Sequence, residues 1–174
     1  MHRWSIPKAT LEIETPMKTF GIILAGGTST RMGTDKALLT HKGLTLLQHA
    51  RALLHTLDIS ETIILGRPNE PDGRKDYAPG EGPAANIAAF INTQKSPFKL
   101  VVLPVDMPLI ETEQIAHLMS LKQGGFFEDL YLPFYVKITE SKNISAVNEM
   151  SVETPRYCAC PDKGNMARKS GKYQ

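Results

Sequence analysis

Thr19-Phe20-Gly21-Ile22-Ile23-Leu24-Ala25-Gly26-Gly27-Thr28-Ser29-Thr30-Arg31-Met32-Gly33-Thr34-Asp35-Lys36 is the stretch on which the reading of this chain turns. Its first part, Thr19 to Leu24, is a short apolar run with β-branched residues, the pattern of a buried strand. Its second part, Ala25 to Lys36, holds Gly26, Gly27 and Gly33 among polar residues. That composition suits a loop better than a regular element. A buried strand running straight into a Gly-rich loop is the frame from which the rest of the chain is read.

Downstream, Leu46, Leu47, Ala50, Leu53, Leu54 and Leu57 recur at helical spacing, which predicts a helix over Leu44 to Leu57. Thr62 to Leu65 reads as a second strand. Gly66 to Gly82 is turn-rich, with Pro68, Pro71, Gly73, Pro79 and Gly80, and a connection of that length in a compact domain is often functional. Pro83 suits the first turn of a helix that continues over Ala84 to Ile91. Lys99 to Leu103 is a third strand, closed by Pro104, and Glu111 to Leu121 is another helix. Leu130 to Ile138 reads as one more strand, while Ser141 to Gln174 has little periodicity.

Alternating strands and helices predict an α/β fold, a Rossmann-like three-layer α/β/α arrangement around a mainly parallel sheet. Ligands of such sheets bind beyond the C-terminal ends of the strands. The Gly-rich loop follows the first strand and Asp106 follows the third, so both fall in that zone. The expected organisation is a flexible arm over 1–17, one domain over 18–155 and a mobile basic tail over 156–174.

A polyphosphate needs backbone N–H groups that approach closely and cations that offset its charge. Glycine removes the Cβ that would block the approach. Leu24, Ala25, Gly26 and Gly27 supply the backbone, and Arg31 and Lys36 supply charge, Arg as a fork and Lys as a point charge. The segment is no P-loop, because Gly33 is followed by Thr34-Asp35-Lys36-Ala37 rather than by Lys and Ser or Thr. On these residues alone a plain Gly-rich turn with exposed basic groups stays equally open. Asp106, boxed by Pro104 and Pro108, reads as a carboxylate for Mg2+, which takes one or two carboxylates with phosphate oxygens and water. A turn or helix-capping aspartate is the alternative.

Composition narrows the classes. The chain has 174 residues, 41% of them hydrophobic, enough for one domain with a real core. A net charge of +2 gives no argument for nucleic acid. No segment has the length of a membrane-spanning helix, and Met1 to Lys18 lacks the apolar stretch of a secretory signal. The two cysteines, Cys158 and Cys160, make no disulfide framework, and a cytoplasmic setting is expected. The five histidines show no metal-ligand spacing, and no Ser/His/Asp set is identifiable.

The run Leu24 to Lys36 resembles the signature loop of the MobA-like nucleotidyltransferases, and within them the molybdenum cofactor guanylyltransferase branch. Glu81-Gly82-Pro83-Ala84-Ala85-Asn86 is similar to that family's Gly-Pro-Leu-Ala/Gly-Gly element, and Leu103-Pro104-Val105-Asp106-Met107-Pro108 to its Pro-Cys-Asp-Thr/Met-Pro element. Together with Leu47-Gln48-His49 these lie in the family's order and cover roughly Lys18 to Leu121. The resemblance implies the nucleotide-diphospho-sugar transferase-like fold and transfer of GMP from GTP to molybdenum-molybdopterin, with pyrophosphate released. Proteins of molybdenum cofactor synthesis and acceptor proteins are the partners it implies.

It further implies that Asp106 holds Mg2+ and contacts GTP, and it puts a nucleotide-contacting aspartate near Asp76. Arg67 and Arg74 could touch phosphate but read better as surface charges, and Asp35 reads as a residue that holds Lys36 or the loop in place, with an ordinary exposed residue as the alternative. The pattern departs at Asn86, where the family usually has glycine, and at Ser151-Val152-Glu153-Thr154-Pro155, which matches an Asn-x-Asn-Thr-Pro element without its asparagines. Leu130 to Pro155 is a shortened version of the family's C-terminal half. A sister cytidylyl- or sugar-phosphate nucleotidyltransferase, or a degenerate nucleotide-binding domain, are the rival readings.

Overall fold

The computed structural model of the protein describes residues 17–26, 35–122, 124–127, 130 and 132–140. Strand β1, Lys18–Leu24, sits inside a six-stranded sheet. It pairs in parallel with β4, Glu61–Leu65, on one side and with β6, Phe98–Pro104, on the other. The short β5, Gly73–Arg74, extends the sheet beyond β4, again in parallel. Beyond β6 the direction reverses: β8, Phe134–Ile138, runs antiparallel to β6, and β7, Gly124–Phe126, antiparallel to β8.

The three central strands are apolar on both faces because both faces are covered. Alternate residues of each strand point to opposite sides. Ile23, Ile64, Val101 and Leu103 face one layer, which contains Leu46, Leu47, Ala50 and Leu54 of helix α1 (Leu46–His55) and Ile115 and Leu118 of helix α3 (Thr112–Ser120). Phe20, Ile22, Leu100 and Val102 face the other, where Ile87, Phe90 and Ile91 of helix α2 (Gly82–Thr93) pack. Edge-to-face contacts of Phe20 with Phe90 and Phe98, at 5.3 and 5.6 Å between centroids, order that second layer. The three-layer α/β/α expectation is met.

Helix starts follow local chemistry. Thr45 caps α1: its hydroxyl accepts from the Gln48 N–H at 3.1 Å, and the Gln48 side-chain oxygen accepts from the Thr45 N–H at 2.8 Å. α1 therefore begins two residues later than the apolar spacing predicts. Leu44 instead belongs to a small hairpin of β2 (Thr40–His41) and β3 (Leu44–Thr45), turned by Lys42 and Gly43 at φ of 48° and 83°. Pro83 lies in the first turn of α2, as expected. The last strand is shorter than the predicted Leu130 to Ile138, since only the part after Pro133, which has no N–H for a ladder, joins the sheet. β7 was not expected at all.

The connection from β1 through α1 leads to β4 on one side, and the connection through α2 returns to β6 on the other. The gap between the C-terminal ends of β1 and β6 is thus the topological switch point, where open α/β sheets hold ligands. Pairing runs right up to it: Leu24 is in register with both Leu65 and Pro104. Among the described residues, no helix is long and apolar enough to cross a membrane.

Candidate functional site

β1 delivers Ala25 and Gly26 to the switch point. The Ala25 N–H donates to the Leu65 carbonyl at 3.2 Å, and the Val105 N–H to the Leu24 carbonyl at 3.1 Å, so the three strand ends stay tied beyond their last paired residues. Gly26 lies against Gly66, the residue that follows β4. A Cβ on Gly66 would come within 2.2 Å of the Gly26 Cα, and Gly66 has φ +81°, a region that side chains disfavour. The two glycines let two backbones touch at the mouth of the site. A Cβ on Gly26 would also lie 3.3 Å from Oδ1 of Asp76, which places that carboxylate beside Gly26.

After the loop the chain returns in a single 3-10 turn, Lys36–Leu38, with Ala37 buried beneath it. Asp35 caps the turn, its Oδ1 accepting from the Ala37 N–H at 3.1 Å. Lys36, the first residue of the turn, extends its ammonium to Asp106 Oδ2 at 3.3 Å. The two side chains are 43% and 48% exposed, so the pair faces solvent and contributes little to stability. Lys36 and Asp106 are 70 residues apart in sequence, and the switch point brings them together.

Arg67 corrects the sequence reading. It is not a free surface charge: its side chain is only 16% exposed. Its Nε donates to the Ala25 carbonyl at 3.2 Å, and its Nη2 donates to Asp35 Oδ2. The guanidinium beside Asp35 is the main reason that this carboxyl is held below its ordinary pKa, with the Ala37 N–H adding to the effect and burial opposing it. Asp35 thus joins Arg67 to the turn that carries Lys36. Arg74 stays exposed and donates to the Gly73 carbonyl at 3.0 Å.

Asn86 was legible only as a departure from a glycine. It is buried, and its amide makes three bonds: it accepts from the Ala78 N–H at 2.9 Å and donates to the carbonyls of Ala78 at 3.0 Å and Gly82 at 2.9 Å. It therefore braces the end of the connection that carries Asp76. His49 donates from Nε2 to the His41 carbonyl at 2.6 Å and fastens the hairpin to α1.

A shallow cleft of about 290 Å3 opens between α1 and α3, lined by His49, Leu53, Met107, Pro108, Glu111 and Glu113. Its two glutamates make it a poor cradle for a polyphosphate, and the switch point remains the candidate. Gly27 and Arg31, and also Cys158 and Cys160, lie outside the described residues. So do the expected arm over 1–17 and tail over 156–174, apart from Met17, which precedes β1.

Asp106 offers a hard oxygen donor at the switch point, and no group of three or more His, Cys, Asp or Glu side chains able to hold a metal occurs among the described residues. A lone carboxylate of this kind suits a hard divalent cation whose remaining ligands are phosphate oxygens and water.

A mainly parallel sheet with a Gly-lined backbone contact, a lysine and a carboxylate at its switch point is the framework of a nucleotide-handling α/β protein. Residues 21–128 match the MobA-like NTP transferase domain, and the chain belongs to that family. It is 37% identical over 123 residues to a molybdenum cofactor guanylyltransferase of Xanthomonas euvesicatoria pv. vesicatoria (strain 85-10), a match covering 70% of this chain and 65% of that one. The chain spans less than two thirds of the length of the curated relatives that it matches first.

Among solved structures it resembles the crystal structure of Rv0371c from Mycobacterium tuberculosis H37Rv, with a TM-score of 0.58 and 18% identity over 81% of this chain and 86% of that one. It also resembles the Rv0371c complex with manganese, with a TM-score of 0.52 and 16% identity over 71% and 72% of the two chains. These likenesses concern the fold, which is that of the nucleotide-diphospho-sugar transferases.

Proposed function

We propose that this chain binds GTP at the switch point and transfers GMP to the terminal phosphate of molybdenum-molybdopterin, releasing pyrophosphate. The observation that carries this reading is the meeting of Lys36 and Asp106 beside the exposed Gly26 backbone. A bare loop would supply close approach alone, whereas this arrangement also supplies a cation and a metal-binding carboxylate within one contact of each other.

The residues act by placement and by offsetting charge, the main sources of catalysis in phosphoryl-type transfer. Leu24, Ala25, Gly26 and Gly27 form the floor under the phosphates. Lys36 and Arg31 neutralise the triphosphate. Asp106 holds Mg2+, and Asp76 helps to hold the nucleotide. When bound, Mg2+ draws charge from the phosphate oxygens and lowers the barrier to displacement. An oxygen of the acceptor phosphate forms a bond to the α-phosphorus in line, and the bond from that phosphorus to the bridging oxygen of pyrophosphate breaks. The electron pair leaves with pyrophosphate, and no covalent enzyme intermediate is needed.

The manganese bound by Rv0371c supports a divalent metal in this fold. The name of the Xanthomonas relative supports guanylyl transfer. The proposed setting is the cytoplasm, and proteins of molybdenum cofactor synthesis and the acceptor enzymes are the proposed partners. The test is calorimetry with Mg2+, comparing GTP, CTP, UTP and ATP on the full chain and on Lys36→Ala. Selective GTP binding that disappears in the variant is the expected result. Preference for CTP or UTP overturns the guanylyl assignment, and no binding of any of the four overturns the triphosphate site.

A further inference from the structure

We infer that Arg67 is a positioning residue of this site: it holds both ends of the Gly-rich loop at once and thereby sets Lys36 against Asp106. The inference rests on the assignment of Lys36 and Asp106 above, and it adds a residue that touches neither.

Three observations carry it. First, one guanidinium reaches both ends of the loop. Its Nε bonds the carbonyl of Ala25 at the upstream end at 3.2 Å, and its Nη2 bonds the carboxylate of Asp35 at the downstream end. A planar fork serves two acceptors in fixed relation, which a lysine cannot do. Second, Asp35 uses its two oxygens for two tasks. Oδ2 takes Arg67, and Oδ1 takes the Ala37 N–H at 3.1 Å. The second bond starts the turn on which Lys36 stands, so the guanidinium orients the capping residue that orients the lysine. The chain of contacts ends at Asp106, 3.3 Å from the Lys36 ammonium.

Third, Arg67 is itself anchored. Its carbonyl accepts from the Glu70 N–H at 3.1 Å, and a Cβ on Gly73 would lie only 1.8 Å from that carbonyl oxygen. The turn after β4 closes tightly on the Arg67 backbone, and β4 in turn is paired along its length with β1. The fork therefore refers the loop ends to the sheet rather than to another loop. Fixing the ends of a loop in advance removes ordering cost from the binding step.

The experiment uses the full chain and four variants: Arg67→Ala, Arg67→Lys, Asp35→Asn and Lys36→Ala. Two readouts are taken, with melting temperature as a check on folding. One is GTP affinity with Mg2+, with and without added guanidinium ion. The other needs no nucleotide: the rate at which an acylating reagent modifies Lys36, followed by mass spectrometry.

Arg67→Ala is expected to weaken GTP by about 10- to 100-fold, by analogy with the loss of groups that orient metal-ligating side chains. Guanidinium restores part of that loss in Arg67→Ala and none in Lys36→Ala. Arg67→Lys keeps the charge but loses the fork, and so weakens GTP as well. Lys36 reacts faster in Arg67→Ala and in Asp35→Asn than in wild type. Unchanged GTP affinity together with unchanged Lys36 reactivity overturns the role of Arg67. So does a loss of binding that only follows a lowered melting temperature and is not rescued by guanidinium. If Arg67→Ala does not fold, Arg67→Lys and Asp35→Asn decide by the same criteria. A wild type that binds no nucleotide, while Lys36 is still freed in the Arg67 variants, overturns the triphosphate site and leaves the positioning role standing.

Discussion

Strands β1, β4 and β6 and strands β7 and β8 belong to one sheet, but the two groups end in different chemistry. The parallel strands run out into Gly26, Gly66, Arg67 and Asp106, where backbones touch and opposite charges meet. The antiparallel strands carry Phe134, Tyr135, Val136 and Ile138 into the two apolar layers, with Lys137 as the one charged residue of β8. Where neighbouring strands run parallel, their C-terminal ends and the loops after them collect on one side, so a site can be assembled from distant segments. The antiparallel addition widens the core, and its strands begin and end in glycine or apolar residues. The comparison separates a part of the sheet that works from a part that supports.

Removing support gives the largest expected effect. Phe134→Ala should destabilise the fold by roughly 3–5 kcal/mol, as for other buried Phe truncations, in urea unfolding. GTP affinity of the folded protein should stay at the wild-type value, and a drop would show that the antiparallel edge does more than support. Next comes Asp106→Ala, which should cost turnover roughly 3–4 kcal/mol, by analogy with loss of one electrostatic donor. Because its ion pair is exposed, unfolding free energy should move by less than about 1 kcal/mol. Pyrophosphate release and urea unfolding, measured on the same preparation, test that split.

Asn86→Gly supplies the family's usual residue and should still be harmful. It leaves polar groups of Ala78 and Gly82 without their partner, at about 1–3 kcal/mol in thermal or urea unfolding. A neutral result would mean that water replaces the amide. The smallest effect concerns acid. Asp35 has its pKa lowered in the folded state by Arg67, so its contribution is full above the unfolded value near 3.8 and is lost as pH falls through the lower folded value. Asp35→Asn should therefore flatten the stability profile below about pH 4, and an unchanged slope would deny the ion pair.

The parallel half was legible because its signals are local. A strand buried on both faces is a continuous apolar run, and Thr19 to Leu24, Thr62 to Leu65 and Lys99 to Leu103 read that way. Asp106 and Lys36 stood out because each follows a strand or a glycine run. The hairpin of β2 and β3 was not legible, because its strands have two residues each and Lys42 is an uncommon residue for positive φ. Leu44 then passed for the start of the helix, although Thr45 and Gln48 spelled a capping box. β7 is Gly-Gly-Phe, which has no strand signature of its own and takes its form from pairing with β8. Arg67 was misread because its partners lie 42 and 32 residues away, and no local pattern announces such a contact.

The reversal of β8 also decides which later parts of the chain can reach the site. Phe126 and Phe134 pair with each other, and Phe134 stands opposite Val102 on β6, so the link between β7 and β8 leaves the sheet on the side of Asp106. Ile138 stands opposite Phe98, at the far side. Anything that follows residue 140 and acts at the site must therefore first travel back along the strand, about 15–20 Å at ~3.3 Å per residue. The eleven residue-to-residue steps from Glu140 to Ser151 span at most about 36–40 Å when extended. Such a tether has the length to bring Ser151 to Pro155 back to the rim with about half of its extended reach, whereas Phe127 and Pro133, which flank the paired Phe126 and Phe134, already stand on that side.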